Sequence, residues 1–459
     1  MKSKNMPLNS ISPLDGRYFE KTRALALYFS EEALMKYRVM VEGEYLIALS
    51  VEKKTILRKF TSKEIKKIRN LYNLSDSDFK HIKKIETTTN HDVKAVEYFI
   101  KEKLSKTSLK DSLEWIHFGL TSEDTNNIAY GLTLSKATAN ILVPKLKEVN
   151  HELELLAKHY RNLPMLARTH GQPASPTTFG KEMGVFAHRL GRGLDHLSGQ
   201  KILVKLNGAS GNYNAHIAAF PKFDWLKFSK KFISGFNKKL IFKLEINPFT
   251  TQIEPHDSYI ELFDHFKRFN NMLIDLNQDM WRYISDDWIT QKPKKGEVGS
   301  STMPHKINPI DFENSEGNLG LANALFEFFA RKLPISRLQR DLSDSTVERA
   351  FGTAFGHSYL AYVSLLGGLN KIKVNEIKIK EDLNTHPEII TEAIQTILRR
   401  EGVKMPYEKL KELTRGKKVT FQDIHKFINT LPVSDKVKKE LLKITPQNYT
   451  GLASKLASK

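Results

Sequence analysis

Four apolar stripes at helical spacing constrain this chain most. Leu142, Leu146, Val149, Leu153, Leu156 and Tyr160 recur at steps of three and four, as do Phe179, Met183, Phe186, Leu190, Leu194 and Leu197. Leu262, Phe266, Phe269, Leu273, Leu276, Met280 and Tyr283 form a third run, and Val347, Phe351, Phe355, Tyr359, Tyr362, Leu366 and Leu369 a fourth. Each puts one apolar face along a helix of about twenty residues, beyond the common length of about 10–14. Several such helices in one stretch imply a bundle. Pro144 lies inside the first run and is expected to kink it, because proline removes a ladder donor. Strand signals are scarce; residues 240–247 alternate and predict one short strand or hairpin arm. The fold class expected is therefore all-α. The long helices span 112–370, between a mixed helical region at 1–111 and a lysine-rich region of shorter helices at 371–459, which suggests three domains.

The 459 residues are 40% hydrophobic, ample for a large core. The chain has no cysteine, which excludes disulfides, thiolate metal sites and cysteine nucleophiles together. The first residues have no apolar run suited to a signal peptide, and no window approaches the ~20 apolar residues of a membrane span. A soluble, cytoplasmic protein is expected. The formal charge of +20 fits three readings: a lysine-rich composition, attraction of small anions, or nucleic-acid binding. The lysines are spread along the chain with no basic stripe or nucleic-acid module, so no nucleic-acid partner is expected.

Between the stripes lie polar segments punctuated by Gly and Pro: DGRY at 15–18, TTTNHD at 87–92, TSEDTNN at 121–127, RTHGQPASPTT at 168–178 and GSSTMPHKINP at 299–309. Bundles place such segments at their ends, where binding groups can cluster. The last offers hydroxyls at Ser300 and Ser301, an imidazole at His305, an ammonium at Lys306 and an amide at Asn308. That is a donor set suited to a carboxylate, though a helix-capping loop explains the same serines. His170, in a tight polar turn, has the chemistry of a general acid or base and equally the setting of an exposed turn residue. His91 has the same two readings, and its neighbours Asn90 and Asp92 are good caps for the helix that follows. TSEDTNN fits an N-cap at Thr121 or Ser122 with acids in the first turn. Arg17, Arg340 and Arg349 fit surface ion pairs or ligands for phosphate and carboxylate. Phosphate loops, dinucleotide fingerprints and metal-ligand spacings are absent from the sequence, so no cofactor and no metal is expected.

In this order and spacing the segments resemble the fumarase/aspartase superfamily, whose hallmark run of the form GSSxMPxKxNP stands complete as GSSTMPHKINP. The histidine in MPHK, with TTTNHDVKAVEYF, RTHGQPASPTTFGKEM, NGASGNYNAH, TTQIEPHD, PIDFENSEGNLGLANA and RDLSDSTVER, is similar to the branch acting on succinylated purine nucleotides, in its bacterial form. The likeness runs from about Pro13 to near the C-terminus. It implies three helical domains, a homotetramer with a twenty-helix core, and β-elimination of fumarate. Adenylosuccinate would give AMP, and the succinyl-carboxamide ribotide its carboxamide.

Roles are implied position by position. Ser300 is the base that removes the β-proton, and His170 the acid that protonates the leaving nitrogen. Thr121, Ser122, Ser301, Lys306 and Asn308 hold the succinyl carboxylates and the developing carbanion. Arg17, Tyr18, Ser345 and Arg349 bind the phosphate side, with Thr346 beside them, and Asn90, His91, Asp92, Gln252, Asn314 and Arg340 complete the pocket. Unaided chemistry favours His91 or Lys306 as the base, since a serine hydroxyl is hardly ionised near neutrality; an alkoxide needs positive charge nearby, which Lys306 could supply. Residues 225–245 are richer in Lys and Phe than the bacterial pattern, which leaves their local structure open. The competing expectations are a sister lyase acting on argininosuccinate, fumarate/malate or aspartate, a non-catalytic structural protein, and a nucleic-acid binder.

Overall fold

The computed structural model describes residues 8–293, 296, 302–416 and 419–458. Helix makes up 64% of the chain. Among the described residues the strands form three two-stranded ladders. The chain folds as two compact units, one of Met1–Leu146, Gly193–Asn271 and Gly317–Val363, the other of Lys147–Arg192, Met272–Glu316 and Ser364–Lys459. No described helix is long and apolar enough to cross a membrane.

The predicted stripes become the helices Val143–His159, Phe179–Leu197, Asp257–Ser285 and Phe351–Lys371. Two details differ from the sequence reading. Ahead of Pro144 the backbone opens into a π-helical turn at Thr138–Leu142, continuous with the Ser122–Ala137 helix before it. The wider turn absorbs the donor that proline lacks, so the irregularity falls one turn early. The fourth stripe is interrupted: Val347 belongs to a separate short helix, Ser343–Glu348, capped by Arg349. A fifth long helix, Ile310–Lys332, carries Gly317, Gly320 and several acids, which blur its apolar periodicity.

In the first unit, Ser30 caps the Glu31–Ser50 helix by accepting from the Ala33 N–H at 3.1 Å. This helix and Ser122–Ala137 are buried on nearly every side and pack against each other. Phe263, Phe266, Phe326, Phe329, Phe351 and Phe355 interlock beside them. Ring centroids lie 5.0 Å apart for Phe263–Phe351 and Phe266–Phe355, and 5.1 Å for Phe326–Phe355, mostly edge to face. At one end of this cluster the buried Asn270 amide donates to Asn323 and Ser358, both at 3.0 Å, and accepts from the Tyr362 hydroxyl at 2.6 Å. No polar capacity there is wasted. Phe263→Ala is expected to destabilise the protein by about 3–5 kcal/mol through lost burial and a residual cavity. An earlier urea midpoint with an unchanged slope would measure it.

The segment 240–247 does supply a strand. Leu244–Ile246 pairs in parallel with Ile202–Val204. The Lys- and Phe-rich stretch before it is an amphipathic helix, Trp225–Asn237, capped by Asp224. Its Phe228 and Phe232 bury against Tyr45 at 5.9 and 5.7 Å.

In the second unit, RTHGQPASPTT lies in a hairpin, with His170 in its tight turn. Pro164–Thr169 pairs antiparallel with Gln172–Thr178. The two linking residues, His170 and Gly171, both have left-handed backbones, with φ of 53° and 74°. Such a two-residue link matches the strand twist. Proline fits here because a two-stranded ladder leaves an outward edge at every strand. A second ladder joins Ile289–Gln291 to Ile372–Val374. The C-terminal part consists of short helices, including Thr391–Arg400, Phe421–Thr430 and Asp435–Leu442.

Candidate active site

In the first unit the helix Asp76–Thr89 ends at Asn90, which takes the left-handed conformation (φ 48°) that asparagine tolerates. His91, not Asn90 or Asp92, caps the next helix, Asp92–Ser105. Its Nδ1 accepts from the Lys94 N–H at 3.2 Å. An accepting Nδ1 places the proton of neutral His91 on Nε2, which lies 3.4 Å from the Ser122 hydroxyl. Ser122 opens the Ser122–Ala137 helix, where Thr121 is the N-cap and its N–H donates to Asp124 at 2.8 Å. The N-terminal ends of two helices of 14 and 16 residues therefore meet at the His91–Ser122 contact. The positive ends of both dipoles meet there, an arrangement that attracts an anion.

Guanidinium groups flank that spot. Asp92 Oδ2 takes Arg38 at 2.8 Å and Arg349 at 2.9 Å. Burial works against ionisation of Asp92, but the two arginines outweigh it and hold the carboxyl well below the usual range. Arg38 is almost wholly buried and also donates from Nε to Asn126 at 2.8 Å, whereas Arg349 is half exposed and can turn to a ligand. Arg340 approaches Gln252 Oε1 at 3.4 Å, and the Gln252 amide donates to the Ala209 carbonyl at 3.1 Å. Ser345 lies between Arg340 and Arg349 on the short helix, its N–H held by Asp344 at 2.7 Å, with Thr346 exposed beside it. Arg17 lies over the Tyr18 ring, 5.9 Å from its centroid.

TSEDTNN proves richer than a cap. Asp124 is completely buried and paired with Lys205 at 2.7 Å, and it also accepts from the N–H groups of Asn207 at 2.9 Å and Gly208 at 3.1 Å. Burial opposes its charge, but Lys205 and these donors keep its carboxyl below the usual value. Asn127 accepts from the Lys205 N–H at 2.8 Å, and Thr125 donates to Glu42 at 2.7 Å. The motif thus ties the NGASGN loop to the helix start. Arg38, Glu123, Lys205, His256 and Glu348 escaped the sequence reading. Acidic neighbours in TSEDTNN were the one signal for a buried cation, and nothing local marked Lys205 as that partner.

The second unit holds His170 exposed at the hairpin tip, where Arg168 donates to the Gly171 carbonyl at 3.2 Å and braces the turn. Lys306 is exposed in the segment leading into the Ile310–Lys332 helix, and its N–H is held by the Met303 carbonyl at 3.1 Å. Asn308 follows it, half-buried, and the Ile307 carbonyl there accepts from Gln291 at 3.0 Å. Asn314, within the helix, accepts from Ser364 at 2.8 Å. Ser300 and Ser301 lie outside the described residues.

The chain matches the lyase family over residues 16–323 and the adenylosuccinate lyase C-terminal family over 336–450. It is 52% identical over 457 residues to the adenylosuccinate lyase of Dictyostelium discoideum, covering 97% of both chains. The chain belongs to the adenylosuccinate lyase family. The enzymes of that name from Haemophilus influenzae and Escherichia coli K12 are 48% and 47% identical to it, the first covering 98% of each chain and the second 97%. Among solved structures, a fumarate lyase from Mesorhizobium sp. BNC1 aligns with a TM-score of 0.75 at 17% identity, over 95% of this chain and 96% of its own. The 3-carboxy-cis,cis-muconate lactonizing enzyme of Pseudomonas putida aligns equally well, over 95% of each chain. At that identity the likeness shows the fold. Membership of the adenylosuccinate lyase family favours a lyase over a structural or nucleic-acid-binding protein, and this branch over its sister lyases.

Proposed function

We propose that the protein releases fumarate from succinylated purine nucleotides, converting adenylosuccinate to AMP and the succinyl-carboxamide ribotide to its carboxamide. The observation that carries this reading is the meeting of two helix N-termini beside Arg349 and Arg340, in a chain about half identical to adenylosuccinate lyases along its length. Anionic groups fit both places. A phosphate suits the Arg349, Ser345, Arg17 and Tyr18 side, and the succinyl carboxylates suit the hydroxyls of Thr121 and Ser122.

In the proposed reaction Ser300 takes the β-proton and the electron pair collects on the adjacent carboxylate. Ser301, Lys306 and Asn308 stabilise that charge. The pair then forms the carbon–carbon double bond, the carbon–nitrogen bond breaks, and His170 gives its proton to the departing nitrogen. His91 is assigned to binding. With the backbone bonded to its Nδ1, its Nε2 is a donor in the neutral ring and not a base. Asn90, Asp92, Gln252, Asn314 and Thr346 complete the pocket. The proposal extends to a cytoplasmic homotetramer of three-domain subunits, divided at about 111 and 370, with each site built from three subunits.

Fumarate release from adenylosuccinate by the purified protein tests this directly. Argininosuccinate, malate and aspartate in parallel separate the sister lyases. Activity is expected to survive exhaustive chelation unchanged. A large loss restored by a divalent metal would sink the mechanism.

A further inference from the structure

We infer that Glu123 is a positioning residue for the Arg340 guanidinium, acting through a buried cluster that it shares with His256 and Glu348. The inference rests on the proposal that Arg340 is a substrate ligand. Arg340 meets Glu123 Oε2 with Nη2 at 3.2 Å, Asp344 Oδ2 with Nε at 3.5 Å and Gln252 with Nη1 at 3.4 Å. Only 14% of its side chain is exposed, so these contacts set its direction.

Behind it, one ligand-type atom each of Glu123, His256 and Glu348 lie within 4.8 Å of one another. All three side chains are sealed from solvent. His256 Nε2 meets Glu348 Oε1 at 3.1 Å. Neither oxygen of Glu123, nor the second oxygen of Glu348, has a hydrogen-bond partner among the described residues. Two carboxylates this close in a cluster sealed from solvent cannot both be ionised cheaply. One proton resolves the arrangement. Carried by Glu123, it leaves a neutral acid beside the Glu348 carboxylate. Glu123 Oε2 then lies beside Arg340 Nη2 at 3.2 Å as a neutral group, and Glu348 stays ionised against His256. A divalent metal on the same atoms would stand against the Arg340 charge.

The electrostatics agree. Burial, then Glu348, push the Glu123 carboxyl up to about 8, against the pull of Arg340; Asp344 adds to the rise and His256 opposes it. Burial lowers His256, but Glu348 outweighs that and raises it. Tyr130 and Tyr259, packed against the cluster, are pushed far up by burial and stay neutral; burial also raises Glu254, on the His256 side. The consequence for ligand binding is specific. With Glu123 neutral, one contacting carboxylate, Asp344, balances Arg340, and the group does not repel an anionic ligand. An ionised Glu123 would make the group net negative and draw the guanidinium inward.

The test compares full-length Glu123→Leu, Glu123→Gln and Arg340→Ala proteins with wild type. E123L is expected to raise KM for adenylosuccinate at least about tenfold, the scale of one lost polar contact to a charged group, with kcat affected less. Glutamine mimics the neutral acid, donating with its amide and accepting with its carbonyl, so E123Q is expected to restore most of the lost kcat/KM. The pH series is sharper. For an acid raised from 4.5 to about 8, stabilisation is complete below the unfolded value and is lost as pH rises through the folded one. The wild-type Tm should therefore fall relative to E123Q between these values, then run parallel. A Tm difference that stays flat across that range overturns the inference, even if E123L does not fold. So does an E123Q enzyme as impaired as a folded E123L, or a folded E123L with wild-type KM. An Arg340→Ala enzyme with unchanged KM instead refutes the reading of Arg340 as a ligand.

Discussion

Replacing His170 by Ala is expected to lower kcat by about 10²–10⁴-fold while KM changes little, and Ser300→Ala should do the same. Both groups act while bonds are changing, so their loss is felt in the transition state and not in the bound ground state. The hairpin supports this assignment for His170. A type of turn that fixes both linking residues in left-handed conformations presents the imidazole at the tip on a rigid base, braced by Arg168. His170→Asn tolerates that backbone better than His170→Ala and removes the same proton, so the pair separates lost acid chemistry from a disturbed turn. Lys306→Ala should differ in kind. It is assigned to a carboxylate in both states, and KM should rise together with the fall in kcat. Stopped-flow fumarate release, with substrate binding measured separately, resolves the two patterns. A Ser300→Ala enzyme with near-normal turnover would remove the serine base. Lys306 would then be the stronger replacement, because the capping bond at Nδ1 leaves neutral His91 with a donor at Nε2.

The sequence announced the fold wherever one face alone is buried. The Asp257–Ser285 helix repeats its apolar residues without interruption and was legible along most of its length. Glu31–Ser50 and Ser122–Ala137 were not, because a helix enclosed on all sides needs no polar face and shows no period. The 164–178 hairpin hid behind three prolines, which read as punctuation until the chain is seen to leave their edges free. The site was legible as motifs and only partly as geometry. Asn90, His91 and Asp92 were recognisable as a group, and Thr121 as a cap. The buried charges that organise them were not. Arg38 sits in a helix buried on nearly every side, and Lys205 is 81 residues from Asp124. Pairings of that kind arise from tertiary packing, where desolvation makes each charge depend on a partner that local sequence does not specify.

Mixing two inactive proteins is expected to produce an active one. Closed symmetric association is a common way for long helices to cover exposed apolar residues. On the outer faces Leu155, Val185, Trp281, Leu321 and Phe328 are exposed, all on the long helices. If each site draws Ser300 and His170 from different subunits, a Ser300→Ala tetramer and a His170→Ala tetramer each lack one group at every site. Once subunits exchange, some hybrid sites take an intact serine from one parent and an intact histidine from the other. A protein whose sites lie within single chains has no such route, because every chain in the mixture carries a lesion. The two variants are mildly dissociated, reassembled together, and assayed for fumarate release against each reassembled alone. Random mixing in a four-site tetramer should restore on the order of a quarter of wild-type activity, far above single mutants lowered about 10²–10⁴-fold. Tagging one parent and isolating doubly tagged assemblies confirms that hybrids formed. Hybrids that form and stay at the single-mutant level would show that Ser300 and His170 do not meet across a subunit boundary, and would leave the exposed apolar faces with a structural role alone.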